Sequence, residues 1–131
     1  MSEGKNLIVK RWFQKAENDI KNIQNNLKSY DPPTDTICFH AQQAVEKFLK
    51  GALVYFEREI SKTHDLVKLL SDLEDLIPEL KELEEDMEKL TEFSVEVRYP
   101  DTFYEPTLQE AEDSYKICLK IKEIILNKVR L

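Results

Sequence analysis

The stretch Cys38-Phe39-His40-Ala41-Gln42-Gln43-Ala44-Val45-Glu46-Lys47-Phe48-Leu49-Lys50 constrains the fold most, because it sets two kinds of residue on two faces of one helix. Ile37, Ala41, Ala44, Val45, Phe48, Leu49, Ala52, Leu53 and Phe56 recur at intervals of three and four, the spacing of a wide buried stripe. His40, Gln42, Gln43, Glu46, Lys47 and Lys50 occupy the remaining arc. That is more chemistry than a solvated face requires.

The same period runs through most of the chain. Val9, Trp12, Phe13, Ala16, Ile20, Ile23 and Leu27 mark a first helix that stops before Asp31-Pro32-Pro33, since a proline disfavours helical geometry in the residue preceding it. The spacing predicts a second helix over about Thr34 to Glu57. It predicts a third that opens near Thr63 to Asp65 and carries Leu66, Leu69, Leu70, Leu73 and Leu76. Pro78 suits the first turn of a short additional helix bearing Leu80, Leu83, Met87 and Leu90. Ser94 to Pro106 lacks helical period and reads as the longest loop, with Val95 and Val97 as at most two residues of extended chain. Thr107 with Glu110 forms a capping box ahead of a last helix to about Lys128. The expectation is an all-α, antiparallel up-and-down four-helix bundle with one short additional helix, a single domain over residues 1–131.

Composition removes several function classes. Gly4 and Gly51 are the only two glycines, so no glycine-rich loop can cradle a phosphate through backbone amides. Two cysteines and two histidines, none at zinc spacing, argue against a metal, and no cofactor is implied. No segment approaches the roughly 18 apolar residues that span a bilayer, and residues 1–6 lack the apolar core of a secretory signal. Cys38 and Cys118 fall on apolar helical positions, which predicts free buried thiols, a reducing compartment and a cytoplasmic location. The net charge is −7, yet ten acidic residues between Asp72 and Glu92 face only Lys81 and Lys89, a local balance of −8 that leaves the rest of the chain at +1. The acidity reads as one solvated face. The remainder tolerates a phosphate-bearing partner.

These residues together resemble a family. Ala16 and Asp19 on the first helix, Phe39 to Lys47 with Leu49-Lys50 on the second, Thr63-His64-Asp65-Leu66, Arg98-Tyr99-Pro100 and Ala111 are similar to the HEPN domain, found in higher eukaryotes and prokaryotes and associated with nucleotide binding. The resemblance implies a helical bundle, a homodimer and a partner of the minimal nucleotidyltransferase kind, in a toxin–antitoxin-like pair. It also implies likeness to the C-terminal helical domain of kanamycin nucleotidyltransferase. Many relatives are metal-independent ribonucleases that use an arginine followed after four to six residues by a histidine. Arg98 matches the arginine, but the histidine positions hold Phe103, Tyr104 and Glu105. A base titrating near neutrality is therefore missing, because a tyrosine phenol of pKa about 10 is a poor substitute.

Each candidate residue has a plainer role beside the functional one. The nucleotide- or partner-binding set is Arg98, Lys47, Lys50, His64, His40, Gln43 and Tyr99. Against this, His40 suits a hydrogen-bonded structural position, His64-Asp65 a helix cap, the lysines a paired surface charge, and Arg98 a tie to a carboxylate such as Asp19. Trp12, Phe13, Phe39, Phe48, Phe56 and Tyr115 read as core. Tyr99, Phe103 and Tyr104 in one loop suit a dimer contact. Three functions remain: a nucleotide-binding or accessory module with a nucleotidyltransferase, nucleotide or RNA partner; a ribonuclease toxin with a divergent site resting on Arg98; and a target of nucleotidyl modification at Tyr99 or Tyr104.

Overall fold

Ser2 is extended and its hydroxyl accepts the Lys5 N–H, so the first helix begins at once and α1 spans Glu3–Leu27. The computed structural model describes residues 2–95 and 104–131. Within them α2 runs Thr34–Tyr55, α3 Leu66–Ser71, α4 Glu84–Thr91 and α5 Leu108–Lys128, with a 3-10 turn at Pro78–Leu83 joining α3 to α4. Among the described residues there is no strand; Val97 lies outside them.

The architecture is the helical bundle that the apolar periods imply, with α2 at its centre, packed on α1, α5, α3 and α4. The fourth member is a relay of three short helices rather than a continuous rod. The α-helix ends at Ser71, and after a run of turns Ile77, at φ −129° and ψ 73°, leads into Pro78, which restarts the chain as a 3-10 turn. Leu69, Leu70, Leu73, Ile77, Leu80, Met87 and Leu90 still deliver one apolar face to the core.

At Gly51 α1 and α2 approach closely. A Cβ there would stand 2.5 Å from Phe13 Cε1 and 3.1 Å from Trp12 Cβ, so a hydrogen is what fits. At its C-terminus α2 stops two residues before the Glu57 expected from the pattern. Glu57 takes a left-handed φ of 58°, its N–H donates to Val54 O and the Arg58 N–H to Leu53 O. This is a Schellman ending built on a glutamate instead of the usual glycine. The Thr107–Glu110 capping box is present at the start of α5, and Cys38 and Cys118 are free and buried. The acidic segment is laced with cations: Lys81 meets Glu74 and Glu84, Arg58 meets Asp75, and Lys128 meets Glu79.

Candidate functional site

The polar arc of α2 is not a solvated face. Gln42 is fully buried, while Glu46 and Lys50 are 5% and 8% exposed. An i, i+4, i+8 spacing aligns these three along one ridge. Burying charge on a central helix is unfavourable unless each ion has a partner, and two carboxylates organise the partners.

Asp19, buried on α1, is the first. Its Oδ1 lies 2.8 Å from His40 Nδ1, and its Oδ2 accepts from Lys47 Nζ at 2.6 Å. The His40 ring packs edge-on against Phe39 and its side chain is 18% exposed. Glu46 is the second. Its Oε2 accepts from Lys50 Nζ at 2.9 Å, and its Oε1 lies 2.8 Å from His64 Nδ1 and accepts from Gln42 Nε2 at 3.1 Å. Lys50 Nζ also stands 5.9 Å from the Trp12 ring centroid, within cation–π range. Burial pushes the Glu46 carboxyl upward, but its hydrogen bonds to His64, Lys50 and Gln42 outweigh that and hold it below the ordinary carboxylate range. Glu46 is therefore ionised at neutral pH and can only accept, so Nδ1 of His64 carries the proton and donates it.

His64 differs from the other members in exposure. Its side chain is 65% exposed although its carboxylate partner is 6% exposed. The ring is a surface group with a buried anchor. Its backbone is held as well: His64 O accepts a second hydrogen of Gln42 Nε2 at 3.1 Å. The connection leading to it is tied by Arg58, whose guanidinium donates to Asp72 O and in a fork to both Asp75 oxygens. Beyond it, Asp65 caps α3 by accepting the Val67 and Lys68 N–H groups, and the Leu66 N–H donates to Thr91 Oγ1 on α4.

The cap expected of His64-Asp65 is thus made by Asp65 alone, with His64 turned to α2. Lys47 and Lys50, read as cations open to a phosphate, sit on Asp19 and Glu46 instead, because at these depths an unpaired ammonium would be costly. His40 takes the hydrogen-bonded position described for it. Gln43, half-buried, donates from Nε2 to Gln42 Oε1 and so borders the Glu46 cluster. Arg98, Tyr99 and Phe103 lie outside the described residues. Both oxygens of Asp19, the carboxylate proposed for Arg98, are engaged by His40 and Lys47. Tyr104 is exposed and its hydroxyl donates to Glu110 Oε1 at 2.6 Å. That bond pushes the phenol above its usual value and makes it a still poorer base.

What the sequence reasoning left in the background were the two hubs. Asp19 sits three residues after Ala16 and four before Ile23, on the apolar stripe itself, and a carboxylate at such a position signals a buried partner. Gln42, Glu46 and Lys50 carry the same signal as an i, i+4 ladder.

Among the described residues no cluster of three or more potential ligands could hold a metal, and no helix is long and apolar enough to cross a membrane. The profile of the HEPN domain family matches residues 9–129, which takes in α1, the α2 ridge, both carboxylate hubs and α5. The chain belongs to the HEPN domain family. No curated protein and no solved structure gives a significant match.

Proposed function

We propose that the chain is a nucleotide-binding or accessory module of the HEPN family, and that the rim of α2 around His64 is where a phosphate-bearing ligand or partner is met. The observation that carries this is the buried Glu46 clasp that orients an exposed imidazole. A residue with only a structural task does not need most of its ring in solvent. The missing histidine after Arg98 favours this reading over a ribonuclease. Calorimetric titration with ATP, AMP and GTP tests it: saturable heat weakened in His64→Gln is expected, and no heat at millimolar nucleotide overturns ligand binding.

Work as a homodimer beside a minimal nucleotidyltransferase belongs to the same proposal. Pairing is supported by α5, where Leu108, Leu119 and Leu126 are exposed and line up with half-buried Tyr115. Leu108 with Leu126 and Tyr115 with Leu119 share a midpoint at position 117, so an antiparallel second copy meets apolar residues with apolar residues. Acidic Glu112 and Asp113 then lie toward the end bearing Lys120, while Lys122 and Lys128 are already paired within the chain with Glu17 and Glu79. A parallel pairing would oppose like charges.

Tyr104 favours a second reading, as a nucleotidyl acceptor. Its exposed hydroxyl is oriented by a hydrogen bond to the Glu110 carboxylate. Intact-mass spectrometry after incubation with ATP and a candidate nucleotidyltransferase tests this, and an unchanged mass excludes it.

A further inference from the structure

The charges of the two clusters cancel. Asp19 and Glu46 supply two negative charges, Lys47 and Lys50 two positive ones, and each pair is in contact. With both imidazoles neutral these two clusters carry no net positive charge. Among side chains, imidazole is the one whose ordinary titration range lies near neutrality.

The tautomer sharpens this. Glu46 holds the Nδ1 proton of His64, so the neutral ring presents a lone pair at Nε2. A phosphate oxygen also brings lone pairs and has nothing there to accept from. Resting on the binding role argued above, we propose that His64 is the anion-contacting group, that it engages a phosphomonoester dianion as the imidazolium, and that binding is accompanied by net proton uptake. The proton adds to Nε2, which then donates to the phosphate while Nδ1 continues to donate to Glu46. The imidazolium lies between two anions, each of which stabilises it.

The surroundings of His64 permit that charge. From α2 it faces Glu46 and, across that carboxylate, Lys50. On its own connection the Asp65 carboxylate is turned to the N-terminus of α3. The described contact from α4 is neutral Thr91, at the adjacent Leu66. His40 is the weaker candidate because its ring is 18% exposed and shares its carboxylate with Lys47.

The test is calorimetry with AMP at about pH 7.5 in two buffers of different ionisation heat, Tris and HEPES. A phosphomonoester with a second pKa near 6 is already a dianion there, so proton uptake belongs to the protein. The expected result is a heat that differs between the two buffers in the sense of net proton uptake on binding. His64→Gln should bind roughly tenfold more weakly and show no buffer dependence. Binding with buffer-independent heat, or an unchanged proton count in His64→Gln, overturns the inference and leaves the binding role standing. Absence of AMP binding removes both. Nitrogen-15 spectra of the ligand-free protein give a separate check: a neutral His64 protonated at Nε2 refutes the proton assignment without touching the question of binding.

Discussion

Replacing Glu46 with glutamine separates charge from shape at the buried ridge. The carboxamide oxygen can still accept from His64 Nδ1, but the amide nitrogen is then turned toward Lys50 Nζ, where Oε2 stood 2.9 Å away. Donor meets donor, and an ammonium only 10% exposed in its side chain loses its counter-ion. Breaking one side of a buried pair costs about 3 kcal/mol. With an m-value of about 1.5 kcal/mol per molar urea, the unfolding midpoint falls by about 2 M. The double variant Glu46→Gln/Lys50→Met removes the stranded charge and should recover most of the loss. The pH dependence has a defined sign. The folded carboxyl titrates below the ordinary glutamate range, so its contribution is present above that range and is lost as pH falls through the lower folded value. The stability curves of the wild type and Glu46→Gln should therefore converge only at pH below that lowered folded value. A loss under about 1 kcal/mol, or a double variant no better than the single, would falsify the account of Glu46 as a structural hub.

Three further outcomes follow from features already described. Gly51→Val drives its Cβ into Phe13 and should lower stability by about 2 kcal/mol in a urea melt; an unchanged midpoint would mean α1 can retreat from α2 freely. Burial pushes the Cys118 thiol up to about 12 and raises Cys38 as well, so neither should react with a disulfide reagent at about pH 8 until denaturant is added. Rapid labelling of the native protein would contradict this. Leu119→Lys places a charge on the seam proposed for α5, and sedimentation velocity should find a monomer where the wild type is a dimer; equal masses would rule that seam out.

The long helices were legible because their apolar period is sustained over many turns. The Thr107 box and the Asp31-Pro32-Pro33 stop were legible because capping and proline act through a few neighbouring atoms. The end of α2 was not, since a left-handed glutamate carries no compositional signal of the kind glycine gives. The break after Ser71 was masked by leucines that continue at helical spacing across several short helices. At the site, the residue types on α2 were visible, but their pairing was not. Lys47 and Lys50 read as open charges because Asp19 is 28 positions from Lys47 and Glu46 was taken as one more member of the arc. His64 lies 18 positions from Glu46. No local pattern could show that this separation closes to a hydrogen bond.

The segment between Tyr55 and Leu66 is buckled at both ends, by Arg58 on Asp75 and by the Leu66 amide on Thr91. A ring mounted on such a strap has already surrendered its freedom to wander. A ligand of the kind proposed would find the imidazole in place and would not have to arrest it, so less of the contact energy would be consumed in ordering the receiver. Cutting the strap at Arg58 would leave the helices stacked and the ridge intact, yet loosen the grip. On the proposed binding role, firmness of the bundle and strength of the grasp would be separable.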